Sequence, residues 1–105
     1  MELKNRSIDL FGTKYKIKIV DTIEIEGPNG IEYPLGLTDY YNNIISIASY
    51  TNGIKIPKNE MEITLLHELM HAILSTGQYT EYSKDEPLVE WLARCLYQLI
   101  NKKVL

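Results

Sequence analysis

The sequence is poor in cysteine and has no long hydrophobic run. A single cysteine, Cys95, among 105 residues excludes an intrachain disulfide, so nothing marks the chain as a disulfide-stabilised secreted domain. No stretch approaches the roughly 20 consecutive apolar residues of a membrane helix. Residues 1–12 contain no apolar run of the kind found in signal peptides. These absences predict a cytoplasmic protein without a membrane partner.

An excess of positive charge is also absent. The chain has 11 basic and 14 acidic residues, which gives a net charge of −3. Because a basic surface is the usual footprint of nucleic-acid binding, we do not expect nucleic acid as a partner. A hydrophobic content of 45% and a charged content of 24% are ordinary for globular proteins. The length suits one modest core, so we predict a single domain over residues 1–105.

The first half of the chain has the pattern of β-strands. Residues 15–26 alternate between apolar and charged side chains, which predicts a strand with one buried and one exposed face. Residues 27–30, Gly-Pro-Asn-Gly, are typical of a turn. Residues 8–11 suit either a short strand or a helical lead-in. Two further strands are predicted at residues 38–41 and 44–50, with a turn at residues 42–43.

The pattern becomes helical after residue 57. Asn59 followed three residues later by Glu62 resembles a capping box, which predicts that a helix begins near Glu60. Gly77 is a typical C-terminal cap for this helix. Residues 63–74 are apolar at nearly every position, so we expect the helix to be buried on most sides.

A second helix is predicted after Asp85. Pro87 suits its first turn, and apolar residues then recur at helical spacing as far as Ile100. Trp91 and Cys95 are expected to pack at the interfaces of this helix. The predicted fold class is therefore α+β, with a small antiparallel sheet packed on two helices.

The only two histidines of the chain lie four positions apart on the first predicted helix. They are His67 and His71, and Glu68 directly follows the first. Residues i and i+4 share one face of a helix, so the two imidazoles can bind one zinc ion. Glu68 then lies beside the metal, where it can take a proton from water bound to it. Because unpartnered polar groups are costly in a buried helix, we favour a metal over histidines that are only hydrogen-bonded in the core.

The third ligand is predicted to be a carboxylate. A catalytic zinc usually has three protein ligands, and the chain has no third histidine and no cysteine pair. Glu90 is the first choice, because the second helix can direct it rigidly at the histidines and the small Ala93 allows the helices to approach. Glu86 lies one turn earlier at the helix start, where its carboxylate can instead cap free N–H groups. Further alternatives are Glu81 and Asp85.

These residues resemble a known family. Residues 64–73, TLLHELMHAI, resemble the metal-binding helix of the zincin metallopeptidases, and residues 90–93, EWLA, resemble the glutamate helix of the gluzincin branch. The strand-rich start and small size resemble compact domains of the ImmA/IrrE type, often encoded by phages and mobile elements. The resemblance covers about residues 38–100. It implies a minimal zincin-like domain with one zinc ion bound by His67, His71 and Glu90, and with Glu68 as the general base.

We therefore expect a zinc-dependent peptidase that hydrolyses peptide or protein substrates. Zinc lowers the pKa of its bound water to about 7 and polarises the scissile carbonyl, and Glu68 passes the proton to the leaving amine. Tyr79 and Tyr82 are candidates for stabilising the oxyanion. Residues 44–50 are a candidate edge strand for binding an extended peptide.

Two other classes of protein have the same sequence features. The first is a metal-binding interaction module, in which the zinc is structural or vestigial and nothing is hydrolysed. The small size of the domain motivates this alternative, because it leaves little surface for substrate selection. The second is a metal-free helical partner protein.

Overall fold

A computed structural model of the chain describes residues 2–104 and confirms the α+β class. Strands and helices segregate along the chain, with all the strands before residue 56 and all the helices after residue 57. The elements are β1 (Arg6–Leu10), β2 (Thr13–Val20), β3 (Ile25–Gly27), β4 (Gly30–Glu32), β5 (Gly36–Asp39), β6 (Ile44–Ala48), β7 (Tyr50–Thr51), β8 (Ile54–Lys55), α1 (Lys58–Thr76), α2 (Thr80–Ser83) and α3 (Glu86–Asn101).

The main sheet has four strands in the order β1-β2-β6-β5. The outer pairs are antiparallel, but β2 and β6 are parallel, so the sheet is mixed and the prediction of an antiparallel sheet is wrong at its centre. The chain leaves β2, forms the β3–β4 hairpin and β5, and returns in the direction of β2. A half-buried strand alternates in the same way beside either kind of neighbour, so the alternation did not reveal this direction.

The predicted alternation is confirmed in β2. Tyr15 and Ile17 are buried, whereas the lysines between and beside them are exposed. The strand ends at Val20 instead of continuing to residue 26, and the turn at residues 27–30 joins β3 to β4 as predicted. Residues 6–10 form β1, so the helical lead-in is wrong.

The strand predicted at residues 44–50 is present as β6 (Ile44–Ala48), but its predicted edge position is wrong. These residues supply β6, which pairs with β2 on one side and with β5 on the other. Ile45 and Ile47 are 0% exposed, because they face the centre of the core beneath α1. The free edge on this side of the sheet belongs to β5 instead.

Both predicted helices are present. The first begins after Pro57, which makes no side-chain capping hydrogen bond, so the predicted capping box is wrong, whereas Gly77 caps the helix as predicted. The second begins at Glu86, and the Asp85 side chain accepts a hydrogen bond from the Leu88 N–H. The short α2 between them was not predicted.

The helix α1 lies between the sheet and α3. It contributes Met61, Leu65 and Ala72 to the core on the sheet side and contacts α3 on the other. Cys95 is half-buried as expected, but the packing prediction for Trp91 is wrong, since its side chain is 63% exposed. Within residues 2–104, no helix combines the length and apolar character needed to cross a membrane.

Candidate metal centre

The two histidines meet on the face of α1 that points toward α3. Helical spacing places His67 and His71 one turn apart on the same face, and their ring centroids are 4.8 Å from each other. Their Nε2 atoms are 3.1 Å apart. The imidazoles therefore direct the same nitrogen of each ring to one point.

Glu86 completes the group from the first turn of α3. One carboxylate oxygen lies 3.0 Å from the Nε2 of His67, and the other lies 3.1 Å from the Nε2 of His71. These three residues are close enough together to hold a metal ion. Of the four carboxylates considered from the sequence, the structure thus brings Glu86, not Glu90, to both Nε2 atoms.

Glu90 contacts the other ring nitrogen of His67, Nδ1, whereas Glu86 contacts Nε2. Its Oε1 is 2.8 Å from the Nδ1 of His67, and its Oε2 accepts a hydrogen bond from the Arg94 side chain at 3.0 Å. Burial raises the pKa of the Glu90 carboxyl, but the hydrogen bonds with His67 and Arg94 outweigh burial and lower it overall. Glu90 is therefore an ionised acceptor for the Nδ1–H of His67.

The buried Ser83 of α2 has the same relation to His71. Its hydroxyl lies 3.2 Å from the Nδ1 of His71, donates to the His71 backbone carbonyl at 3.3 Å, and accepts from the Ser75 hydroxyl. Because a serine hydroxyl has one proton, and here donates it to the carbonyl, Ser83 is an acceptor toward the imidazole. With the Ser83 proton on the carbonyl, the Nδ1 of His71 is the nitrogen that holds the ring proton.

In the tautomer with the proton on Nδ1, both rings turn their N–H groups away from the group formed with Glu86. Two Nε2 lone pairs and a carboxylate then converge on one point, and all of them are acceptors. Acceptors at such distances repel one another unless a cation or proton lies between them. The arrangement is thus chemically suited to a positive ion.

Glu68 is separate from this group, on the side of α1 that faces β5. It is 8% exposed, and one carboxylate oxygen accepts a hydrogen bond from the Thr38 hydroxyl at 2.8 Å. Burial raises the pKa of the Glu68 carboxyl, although the hydrogen bond from Thr38 acts in the opposite direction. A side chain at Gly36 would lie 2.6 Å from Thr64 and 2.9 Å from Glu68, so glycine allows β5 to approach α1 here.

Two clefts open on either side of the histidines and Glu86. The first, which we call the strand cleft, has a volume of about 760 Å³ and lies between β5, the N-terminal half of α1, and α3. The second, the hydroxyl cleft, has a volume of about 740 Å³ and lies between the C-terminal half of α1, α2 and β2. Both clefts are lined by Tyr40, His71 and Glu86.

Sequence reasoning missed Thr38, Gly36 and Tyr40. No local motif marks them, because they reach the site through the packing of β5 on α1. Tyr79 and Tyr82, the predicted oxyanion candidates, are exposed and line neither cleft.

The two remaining carboxylate alternatives lie outside the metal-holding group. Asp85 caps α3, and Glu81 lies in the first turn of α2.

No family model, curated protein or solved structure matches this chain.

Proposed function

We propose that the protein is a zinc-dependent peptidase, in which His67, His71 and Glu86 hold the metal and Glu68 is the general base. The convergence of the two Nε2 atoms and a carboxylate at 3.0–3.1 Å is the observation that supports this proposal. Tetrahedral zinc with ligand distances of about 2.0–2.1 Å keeps its ligand atoms about 3.3 Å apart. The two Nε2 atoms, 3.1 Å apart, need to separate by only a few tenths of an ångström, and each already faces a different oxygen of Glu86.

The contacts of Glu90 support an orienting role instead of the ligand role expected from the sequence. A zinc-bound histidine commonly donates its other N–H to a carboxylate, which fixes the tautomer and the ring orientation. Glu90 has this relation to His67 through Nδ1, and Ser83 has it to His71. Glu86 and Glu90 are four residues apart on α3, so one helix face supplies both the third ligand and the orienting carboxylate.

Two features of Glu68 support its proposed role in proton transfer. It follows His67 directly and lies outside the metal-holding group. Thr38 holds one of its oxygens, which limits the rotation of the carboxylate. Zinc, when bound, polarises a substrate carbonyl and makes water more acidic. Glu68 takes the proton of the attacking water and donates it to the leaving nitrogen.

The edge strand β5 is the proposed binding surface for the substrate backbone. The Leu35 carbonyl accepts a hydrogen bond from the Ala48 N–H at 2.9 Å, so Leu35 faces β6. In an antiparallel pair the bonding direction alternates, and therefore the backbone groups of Gly36 and Thr38 point away from β6. Both residues line the strand cleft, where an extended peptide can add a strand next to Glu68.

Zinc removal is the direct test of the proposed function. Purified protein is expected to contain about one zinc ion per chain, as the single His-His-Glu group implies, and to cleave members of a proteome-derived peptide library. Dialysis against a chelator should abolish cleavage, and zinc should restore it. Magnesium should not, because it prefers oxygen ligands. Cleavage that survives chelation, or wild-type protein that binds no zinc, would contradict the proposal.

Replacing Ser83 with alanine is expected to weaken zinc binding about 10-fold, the lower end of the effects seen for outer-shell partners. The change removes the acceptor for the Nδ1–H of His71, which frees the ring to rotate or to change tautomer. Zinc affinity is measured by competition with a chromophoric chelator. Ser75→Ala is the matched control, since Ser75 contacts Ser83 but not the imidazole. An equal loss of zinc affinity in Ser83→Ala and Ser75→Ala would show that Ser83 does not act through His71.

A further inference from the structure

The hydroxyl cleft differs from the strand cleft in the chemistry of its walls. It is lined by side chains that carry hydroxyl groups and by one cation: Thr13, Ser75, Thr76, Thr80, Ser83 and Lys84. The strand cleft has aliphatic walls that include Leu35, Leu37 and Ile63. The hydroxyl groups and the ammonium of this cleft can hydrogen-bond a side chain that has acceptor atoms, which Leu35, Leu37 and Ile63 of the strand cleft cannot do.

The cations of the two clefts also differ in their pairing. Arg94 lines the strand cleft and is already paired with Glu90 and Glu60. Lys84 lines the hydroxyl cleft, and none of the ion pairs among residues 2–104 includes it. The only carboxylate that lines the hydroxyl cleft is that of Glu86, which lies against the two histidines. The Lys84 ammonium is therefore free to pair with a ligand.

For a substrate that pairs antiparallel with β5, the direction of this strand fixes which part of the substrate reaches the hydroxyl cleft. The strand runs from Gly36, in the strand cleft, toward Tyr40, which lines both clefts. A peptide that pairs antiparallel with β5 runs the opposite way, from the hydroxyl cleft into the strand cleft. Its residues on the amino side of the scissile bond then lie at the hydroxyl cleft.

We propose, building on the peptidase function above, that the hydroxyl cleft binds an acidic side chain of the substrate on the amino side of the scissile bond. Lys84 is the residue that determines this preference. Its ammonium pairs with the Asp or Glu carboxylate of the substrate, and the hydroxyl groups of Thr13, Thr76 and Thr80 donate hydrogen bonds to the same carboxylate. Bound substrates are thus anionic peptides with an acidic residue one or two positions before the bond.

The test compares cleavage sites in a proteome-derived peptide library, read by mass spectrometry, for the zinc-loaded wild type and for Lys84→Glu. The wild type is expected to enrich Asp and Glu at the first or second position before the bond. Charge reversal should lower the ratio of acidic to basic residues there about five- to tenfold, which corresponds to the loss of one partly exposed ion pair and its replacement by repulsion. Lys84 is exposed, so its replacement should leave the fold and the zinc content unchanged.

Lys18→Glu is the matched control, because Lys18 is an exposed lysine of β2 that lines neither cleft. It changes the net charge equally and should keep the wild-type preference. Cleavage by the wild type without acidic enrichment, enrichment only on the carboxyl side, or an unchanged profile in Lys84→Glu would each overturn the inference and leave the peptidase function standing. No cleavage by zinc-loaded wild type would overturn both.

Discussion

Glu68→Gln is expected to lower kcat by about 10²–10⁴-fold, the contribution of a positioned general base. Glutamine keeps the size of the side chain and can still accept the hydrogen bond from Thr38, but it cannot take a proton from water. Zinc content should remain that of the wild type, since Glu68 is not in the metal-holding group. The measurements are kcat and KM on a peptide selected from the library, together with metal analysis of the same sample.

Glu62→Gln is a suitable control for this experiment. Glu62 lies on the same helix and lines neither cleft, so its replacement should leave kcat unchanged. If Glu68→Gln retains wild-type activity, Glu68 is not the base. If the wild type binds zinc but cleaves nothing, the metal-binding interaction module is the better description of the protein.

The second large effect is expected from Glu86→Ala, which should weaken zinc binding more than Glu90→Ala does. Loss of Glu86 removes the carboxylate that faces both Nε2 atoms, whereas loss of Glu90 removes the partner of the His67 Nδ1 and of Arg94 but no group that faces Nε2. Outer partners of this kind contribute about 10–100-fold to affinity, so Glu90→Ala should fall in that range and Glu86→Ala beyond it. Competition with a chromophoric chelator measures both affinities.

This pair of variants is well matched, because the two glutamates lie one turn apart on α3 and both are partly or fully exposed. Thermal unfolding of the zinc-free variants shows whether either change disturbs the fold. A larger loss of affinity for Glu90→Ala than for Glu86→Ala would restore Glu90 as the third ligand, as expected from the sequence. Equal affinities for wild type and both variants would exclude a carboxylate ligand from α3.

The part of the site that lies within one helix could be predicted from the sequence. Helical spacing alone brings His67 and His71 together and turns Glu68 to another side of α1. The third carboxylate could not be chosen in this way, because Glu86 and Glu90 share a face of α3. Which of them faces the Nε2 atoms depends on how α3 packs against α1, and the unpredicted α2 lies in the connection between them.

The residues that surround Glu68 could not be predicted from the sequence, for a related reason. Gly36 and Thr38 are more than 25 positions from Glu68 in the chain and contact it only after β5 packs on α1. The strand alternation predicts which side chains are buried, but not which strand lies at the edge or in which direction a neighbour runs. Both the parallel pairing of β2 with β6 and the edge position of β5 follow from the topology of the folded sheet.

The metal-holding residues all lie between positions 67 and 86, whereas the hydrogen bond that orients Glu68 comes from a strand in the first half of the chain. Metal binding and the orientation of Glu68 therefore depend on different parts of the chain, which can change separately in evolution. A descendant that altered β5 near Gly36 or Thr38 would lose the alignment of its proton acceptor and keep its ion. Under the proposed function, a change in this one strand would turn a hydrolytic domain into one that only binds metal.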